Sequence, residues 1–332
     1  MEPEKRKALV IGASGHIGNA IARALLSAGW EVSACGRRKT PPLNLRDVPL
    51  TYLAGDVDAP GQLDRWFAGH ELVVDNAAPY PIDVVFPGLE PKHDPFAYAE
   101  ARTARIIEAV RRQDATLIYV GSFTSVVKPR TEGQRFREKL IRWTLPYFEV
   151  KELIELRLLD ACRRGMRAVL LNPTYCLGPW DLHDRRMCTI PLLLSGEIPG
   201  HISQMLNVID VRDLATATIR ALEAETYGRP LMIAAHNIYT QDFYSLICDL
   251  GGVPPPRIAS STTMAMTGSY LVEVAYGMFG RQTPIMSAGM MMATAYDYLP
   301  QESALKELGV DPRPLADTIT DAIQWYRRIG YC

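Results

Sequence analysis

The sequence predicts an α/β protein in which helices cover both faces of a doubly wound parallel sheet, with a smaller and mostly helical lobe toward the C-terminus. Three observations support this fold class. Short apolar runs alternate with segments of helical spacing in the first half of the chain, the first run ends in a glycine-rich turn, and the alternation stops near Pro173. Alternation of this kind is typical of parallel sheets.

The individual elements follow from hydrophobic spacing. Ala8–Ile11 is a short apolar run that reads as a buried strand. Residues 17–28 have apolar side chains at helical spacing, and Gly29 is a typical helix stop. Further strands are predicted at residues 31–35, 71–76, 115–121 and 167–172, and further helices at residues 59–68, 96–112 and 147–164.

Proline and glycine become frequent between residues 173 and 200, and the segment from residue 239 onward is helical and rich in methionine. We therefore expect a dinucleotide-binding domain of Rossmann type at residues 1–174, with 205–235 returning to the sheet. A substrate-binding lobe is expected to comprise residues 175–204 and 236–332.

Composition limits the classes of partner. The 36 Lys and Arg residues nearly balance the 37 Asp and Glu residues, for a net charge of −1. No overall charge therefore favours nucleic acid or an anionic membrane. The six cysteines contain no C-x-x-C pair, so neither a metal site nor a disulfide framework is expected. With no signal-like or membrane-spanning run, we expect a cytoplasmic protein with a small-molecule substrate.

The first strand leads into the turn Gly12-Ala13-Ser14-Gly15-His16-Ile17-Gly18, which opens a helix. Glycines here allow a tight turn, a close approach of backbone amides to a pyrophosphate, and close packing of the helix on the strand. The helix N-terminus adds amide hydrogens and partial positive charge. Because tight turns also use glycine for structural reasons, the pattern gains its weight from the strand before it and the helix after it.

The end of the second strand discriminates between dinucleotides. An NAD site usually has an acidic residue there for the ribose 2′-hydroxyl. Here the sequence is Gly36-Arg37-Arg38-Lys39, without a carboxylate. Guanidinium groups of Arg37 and Arg38 suit a 2′-phosphate, so NADP(H) is the expected cofactor, the alternative being a solvated basic loop.

Asp56 and Val57 lie just before the predicted helix 59–68 and are candidates for binding the adenine end of the cofactor. The carboxylate of Asp56 could accept a hydrogen bond from the adenine amino group. It could equally cap a helix that starts near Pro60, and spacing alone leaves both interpretations open.

Tyr147 and Lys151 are four residues apart, so they share one face of a predicted helix. A tyrosine with an ordinary pKa of about 10 is a poor proton donor or acceptor near neutrality, and a neighbouring ammonium group would lower that pKa. Ser122 follows a predicted strand at the edge where ligands bind in open α/β sheets. Together the three predict a proton-transfer site.

This combination of Gly12-x-x-Gly15-x-x-Gly18, Ser122 and Tyr147-x-x-x-Lys151 resembles the extended short-chain dehydrogenase/reductase family, which is the NAD-dependent epimerase/dehydratase family. The resemblance implies that Tyr147 is the general acid/base, that Lys151 holds the nicotinamide ribose and that Ser122 polarises a carbonyl. It also implies that the segment Asn76-Ala77-Ala78 and Pro173 line the cofactor. A homodimer through the predicted helices 96–112 and 147–164 is a further implication, although Arg102 and Arg105 make the first helix polar.

Within the family, the ending Gly36-Arg37 and the stretch 281–285 resemble the branch of dihydroflavonol reductases and 3β-hydroxysteroid dehydrogenases. Three departures from the family pattern concern the surroundings of the site. Ala99 replaces the asparagine of the N-x-x-G-T pattern, Asn172 replaces an arginine that usually precedes proline, and Trp180 stands where nucleotide-sugar enzymes of the family often have an arginine. None of the three touches Ser122, Tyr147 or Lys151.

Three functions compete on this evidence. The first is an NADPH-dependent reductase of a carbonyl on a hydrophobic small molecule, favoured because Arg257 and Arg281 are the only Lys or Arg residues between 236 and 300. The second is a nucleotide-sugar epimerase or dehydratase, for which Arg185 and Arg186 could hold a diphosphate. The third is a non-catalytic NADP sensor, disfavoured by the complete catalytic set. Candidate substrate contacts are Tyr80, Phe123, Thr124, Tyr175, Trp180 and Met187.

Overall fold

The computed structural model describes residues 6–81, 94–126, 145–278 and 303–332, together with Glu132, Arg135, Lys139 and Arg142. The stretch 281–285 lies outside these residues. Seven parallel strands form the main sheet in the order β10-β6-β5-β4-β1-β2-β3. The strands are β1 (Lys7–Ile11), β2 (Glu31–Gly36), β3 (Thr51–Ala54), β4 (Leu72–Asp75), β5 (Thr116–Val120), β6 (Ala168–Pro173) and β10 (Pro230–Ile233). The predicted doubly wound α/β fold is confirmed.

Helices pack on both faces of this sheet. Those of the first half are α1 (His16–Ser27), α2 (Gln62–Phe67), α3 (Pro95–Arg112), α4 (Phe123–Val126) and α5 (Tyr147–Arg163). One apolar core lies between the sheet, α1 and α7 (Val211–Glu223), and a second lies between the sheet, α3 and α5. Alternate residues of each strand, such as Val10 and Leu9, face opposite cores, because a sheet covered on both sides needs apolar residues on both faces.

The strand order reverses between β1 and β4, since β2 lies on one side of β1 and β4 on the other. Ligands of open α/β sheets bind beyond the carboxyl ends of the strands at such a reversal. The glycine turn after β1, the segment after β4 and Ser122 after β5 all lie at this edge.

The remaining elements form smaller sheets and a helical group. They are β7 (Tyr175–Leu177), α6 (Thr189–Leu194), β8 (Gly200–Ile202), β9 (Met205–Asp210), β11 (His236–Tyr239), α8 (Thr240–Gly251), β12 (Ile258–Ser260), α9 (Thr262–Met278) and α10 (Leu315–Arg328). Strands β7, β9 and β11 pair with one another, and β8 pairs with β12. A third apolar core joins α6, α8 and α10. Within the described parts of the chain, no helix has the length and hydropathy needed to cross a bilayer.

Candidate functional site

The glycine turn is packed so tightly that side chains are excluded from it. Gly12 has φ of +84°, and a Cβ there would lie 2.9 Å from the carbonyl oxygen of Asn76. A Cβ on Gly18 would overlap the Gly12 carbonyl oxygen, and one on Gly15 would lie 3.3 Å from it. The turn is closed by a hydrogen bond from the Gly15 amide to the Gly12 carbonyl, at 2.9 Å. Helix α1 therefore begins directly against the segment that follows β4.

The N-terminus of α1 has the properties of an anion site. Gly15 is the N-cap residue, no side chain caps the helix, and its first turn contains no acidic residue. The first amides of a helix have no partners within the helix and lie at the positive end of its dipole. These features fit a pyrophosphate group, and cofactor contacts of Ser14, Gly15 and Ile17 stay a prediction.

His16, in the same turn, is buried and directed toward the other lobe. Its ring forms a hydrogen bond with the carbonyl of Pro179, and its Nε2 is buried without a partner in the structure. Burial lowers the pKa of this histidine, so the ring is neutral at physiological pH and adds no positive charge to the turn. Its backbone, and not its side chain, is the group suited to a phosphate.

Asn44 connects the glycine turn to the second lobe. Its Nδ2 donates to the carbonyls of Ser14 and Trp180, at 3.0 and 2.9 Å. Trp180 has a left-handed backbone conformation with φ of +72°, and the Arg23 guanidinium lies 4.5 Å from its ring centroid. The sequence placed Trp180 among the substrate contacts, whereas these interactions attach it to α1.

Arg37 and Arg38 are exposed at the end of β2, and neither forms an ion pair among the described residues. The backbone carbonyl of Arg38 accepts a hydrogen bond of 3.1 Å from the Tyr52 hydroxyl. This contact anchors the loop on β3 and leaves both guanidinium groups available to an anionic ligand.

The helix-cap interpretation of Asp56 is wrong. Helix α2 begins at Gln62 with Gly61 as its N-cap residue, so Asp56 lies five residues before the capping position. The Asp56 carboxylate instead accepts the Asp58 amide at 3.0 Å, in a local turn. Asp56 is exposed and the neighbouring Val57 packs on the core beneath α2, so the adenine-end hypothesis stays a prediction.

Ser122, Tyr147 and Lys151 are brought together beyond the end of β5. All three are buried, with 5%, 5% and 4% of their surface exposed. The Ser122 side chain hydrogen-bonds the Tyr147 phenol. Thr124, at the start of α4, donates both its hydroxyl and its amide to Ser122 Oγ, at 3.0 and 3.3 Å. With these donors on its oxygen, the Ser122 hydroxyl hydrogen is directed toward Tyr147.

The pKa of Tyr147 does not follow the expectation from its lysine neighbour. Burial raises the pKa of Tyr147 well above its usual value, and the hydrogen bond from Ser122 opposes this only in part. Burial instead lowers the pKa of Lys151 to about 8. The Lys151 amine lies 5.9 Å from the Tyr147 ring centroid, and desolvation outweighs its effect on the phenol. Tyr147 is therefore a neutral phenol that carries a proton at physiological pH.

Asn172, the residue that replaces the family arginine, holds Ser122 in place. Its Oδ1 accepts the Ser122 amide at 2.9 Å, and its Nδ2 donates to Glu155 Oε2 at 2.6 Å. Glu155 lies one turn beyond Lys151 on α5 and is also buried. Gly121 is packed against the same amide oxygen, so a larger residue there would displace Asn172. The sequence analysis missed Glu155, although its spacing of four from Lys151 is visible in the sequence.

The Asn172–Glu155 contact leads to a prediction about stability. We expect Asn172→Asp to lower the free energy of unfolding by about 2 kcal/mol at pH 8, because two carboxylates then face each other in a buried site. The penalty should shrink as pH falls through the raised folded-state pKa toward about 4, because the shared carboxyl is then protonated in the folded protein and increasingly protonated in the unfolded chain. The double variant Asn172→Asp/Glu155→Gln exchanges the acid and the amide and should recover stability. Urea unfolding across pH tests this, and a single variant with pH-independent stability equal to wild type contradicts it.

The remaining candidates for substrate contact are distributed as follows. Tyr80, which follows β4, is 51% exposed, and its ring packs edge-on against Tyr147 at 4.8 Å between centroids. Tyr175 is at the surface, and its hydroxyl donates to Thr189 at 3.2 Å. Met187 is 41% exposed in a short 3₁₀ turn. Of these three residues, Tyr80 directly contacts Tyr147.

Two further candidates for substrate contact, Phe123 and Thr124, lie in α4. Phe123 starts this short helix, directly after Ser122. Thr124 is 1% exposed and hydrogen-bonded to Ser122, so it helps to position the Ser122 side chain. A contact between Thr124 and substrate stays a prediction. Pro173, at the end of β6, is buried, and Ala77 and Ala78 follow β4 at the sheet edge opposite Gly12.

Comparisons with known proteins agree with this architecture. A curated relative from Synechocystis sp. with the provisional name dihydroflavonol 4-reductase is 25% identical over 97% of this chain and 95% of its own length. Sterol demethylase protein B from Methylococcus capsulatus is 22% identical over 97% of this chain and 98% of its own. The crystal structure of a nucleoside-diphosphate-sugar epimerase from Pseudomonas aeruginosa superposes with a TM-score of 0.74 and 23% identity, covering 99% of each chain.

The sequence profile described as the NAD dependent epimerase/dehydratase family matches residues 8–234. That range contains the glycine turn, the strand order reversal and the cluster of Ser122, Tyr147 and Lys151. The chain belongs to the NAD-dependent epimerase/dehydratase family.

Proposed function

We propose that the protein is an NADPH-dependent reductase that acts on a carbonyl of a hydrophobic small molecule or natural-product intermediate. The observation that carries the proposal is the buried hydrogen bond between Ser122 and the protonated Tyr147, next to Lys151 and beside the glycine turn. Such a site offers a proton to a carbonyl oxygen at the edge of the sheet where a dinucleotide fits. The provisional name of the Synechocystis relative favours the same direction of reaction.

The residues have separate tasks in this mechanism. Ser122 donates a hydrogen bond to the substrate carbonyl and polarises it. A nicotinamide bound at this edge of the sheet would supply the hydride. Tyr147 donates its phenolic proton to the developing alkoxide, and the Lys151 ammonium stabilises the phenolate that results. Because the pKa of Tyr147 is raised before reaction, its resting state is the proton donor that reduction requires.

The tight glycine turn and the free amides of α1 fit the pyrophosphate of a dinucleotide, since no side chain caps the helix and its first turn has no acidic residue. We assign NADP(H) because Arg37 and Arg38 are exposed and free of ion pairs among the described residues. Both assignments are proposals, as is cytoplasmic location.

A nucleotide-sugar epimerase or dehydratase is the second candidate, favoured by the structural likeness to the Pseudomonas aeruginosa protein. Its diphosphate needs cations. Arg185 is already engaged by Glu197 at 2.7 Å and by the Tyr331 carbonyl at 2.9 Å, and Arg186 pairs with Asp184. These contacts weaken the proposed diphosphate clamp and favour the reductase. A non-catalytic NADP sensor would have no use for the Ser122–Tyr147 arrangement.

A homodimer through α3 and α5 stays a prediction. The polar character that Arg102 gives to α3 does not oppose a dimer, because Arg102 is 2% exposed and lies inside the subunit. The outer faces of both helices border an open groove whose charged residues are paired, for example Arg157 with Glu100 and Arg164 with Asp160.

Cofactor titration followed by a substrate screen tests the proposed function. We expect NADPH to quench protein fluorescence at micromolar concentration, and we expect oxidation of NADPH with aromatic or steroid-like ketones but no conversion of nucleotide sugars. Sterol-like ketones belong in the screen because one relative is named as a sterol demethylase protein. Conversion of a UDP-sugar without net oxidation of cofactor would favour the epimerase instead.

A further inference from the structure

A buried ion pair outside the predicted catalytic set lies one strand away from the surroundings of Lys151. Asp75 is the register partner of Tyr119 on β5, and the Tyr119 ring centroid lies 5.8 Å from Lys151 Nζ. Asp75 is the last residue of β4, and Arg102 lies in the middle of α3. The guanidinium donates to both carboxylate oxygens, at 2.7 and 2.9 Å, and the two residues are 3% and 2% exposed. Buried pairs of this kind contribute little net stability, because desolvating two charges offsets their attraction. The position of the pair therefore calls for another explanation.

The Asp75 carboxylate is fixed by three donors. Besides the two from Arg102, the Ala77 amide donates to Asp75 Oδ1 at 3.2 Å. The intervening Asn76 donates its amide to the Ile11 carbonyl at 3.0 Å, which ties this turn to β1. The carboxylate thus cannot swing toward a neighbouring cation, and its negative charge acts from a constant position.

The Lys151 amine lies in a compartment that water screens poorly. Three tyrosine rings surround it, those of Tyr80, Tyr119 and Tyr147, with centroids 5.8 to 5.9 Å from Nζ. The charged groups that act on it are Asp75 of β4 and Arg102 of α3. Asp75 favours the ammonium form more strongly than Arg102 opposes it, while burial lowers the pKa of Lys151 to about 8.

We propose that the Asp75–Arg102 pair is a positioning pair that sets the charge state of the Lys151 amine without binding it. Arg102 binds both oxygens of the Asp75 carboxylate, so this carboxylate does not accept hydrogen bonds from Lys151. The Lys151 amine can then donate its hydrogen bonds to the cofactor ribose. The negative charge nearby keeps the amine protonated at physiological pH. The role of Lys151 in this argument rests on the proposed function.

The titration of Lys151 can be followed directly in the free protein. Lysine is labelled with ¹³C at Cε, the Lys151 signal is assigned by its loss in Lys151→Met, and its chemical shift is recorded from pH 6 to 11. The variants are Asp75→Asn, Arg102→Met and the neutral double variant, each checked by thermal unfolding. Arg105→Met is the matched control, because Arg105 lies one turn further along α3 and pairs with Asp58 instead, at 2.7 Å.

We expect Asp75→Asn to lower the midpoint of Lys151 by about 1 pH unit and Arg102→Met to raise it by a clearly smaller amount, because Asp75 acts on the amine more strongly than Arg102 does. The double variant should titrate below wild type but above Asp75→Asn, and Arg105→Met should match wild type. Should the single variants fail to fold, the double variant still decides, since it leaves no buried charge. Folded variants with an unchanged midpoint would overturn the proposal. Absence of NADPH binding by wild type would instead overturn the proposed function, because the titration needs no cofactor.

Discussion

Replacement of Tyr147 by phenylalanine is expected to reduce kcat for ketone reduction by roughly a thousandfold, the scale of general acid catalysis. The substitution removes one hydroxyl and keeps the ring, which is 5% exposed and packs against Tyr80 and Phe148. Ser122 then loses Tyr147 as a partner, and it can still polarise the carbonyl but the general acid of the predicted set is missing. NADPH binding should change by less than about threefold, since the pyrophosphate fits α1 and the ribose is assigned to Lys151.

Steady-state kinetics and NADPH fluorescence titration on the same preparation separate the two effects. Tyr227→Phe is a matched control, because Tyr227 is partly buried against the opposite core, near β10, and should keep wild-type kcat. Residual activity of Tyr147→Phe within tenfold of wild type would contradict the assignment of the general acid. A parallel loss of NADPH affinity and kcat would indicate a disturbed fold, which thermal unfolding would reveal.

Much of the sheet could be predicted from the sequence because its signals are local. Apolar runs such as Leu9–Ile11 and the glycine turn have a period and a composition that few other structures share. Tyr147 and Lys151 were also predictable, since a spacing of four on a helix puts two side chains on one face. The edge of the sheet then brings Ser122 to them, because carboxyl ends of parallel strands meet there.

The supporting residues could not be predicted in the same way, because their partners are distant in sequence. Asp75 and Arg102 are 27 positions apart, and Asn172 and Glu155 are 17 apart. Arg102 looks like a surface residue of an amphipathic helix until the carboxylate that it binds is known. The effect of desolvation on a pKa also cannot be predicted from the sequence, because it depends on burial in the folded protein. The expected lowering of the Tyr147 pKa by Lys151 ignored burial, which dominates in the folded protein.

Replacement of both Arg37 and Arg38 by alanine is expected to weaken NADPH binding by about a hundredfold and NADH binding by less than about threefold. The estimate assigns roughly tenfold to each charged hydrogen bond with the 2′-phosphate. NADH lacks that phosphate and should lose only long-range attraction to the loop. Both side chains are exposed, so their removal leaves no buried group without a partner and should not alter thermal stability.

The comparison of the two cofactors separates recognition from general attraction. Arg46→Ala is the matched control, since Arg46 is an exposed arginine after the same strand and outside the predicted phosphate contact. Raising the salt concentration should weaken NADPH binding to wild type more than to the double variant. Salt screens the attraction between the two guanidinium groups and the 2′-phosphate, and the double variant has no such attraction to lose. Equal weakening of NADPH and NADH in the double variant would mean that the basic loop does not read the 2′-phosphate. The absence of a carboxylate at the end of β2 would then need another explanation, because neither Gly36 nor Lys39 has the acidic side chain that usually accepts a hydrogen bond from the ribose 2′-hydroxyl of NAD.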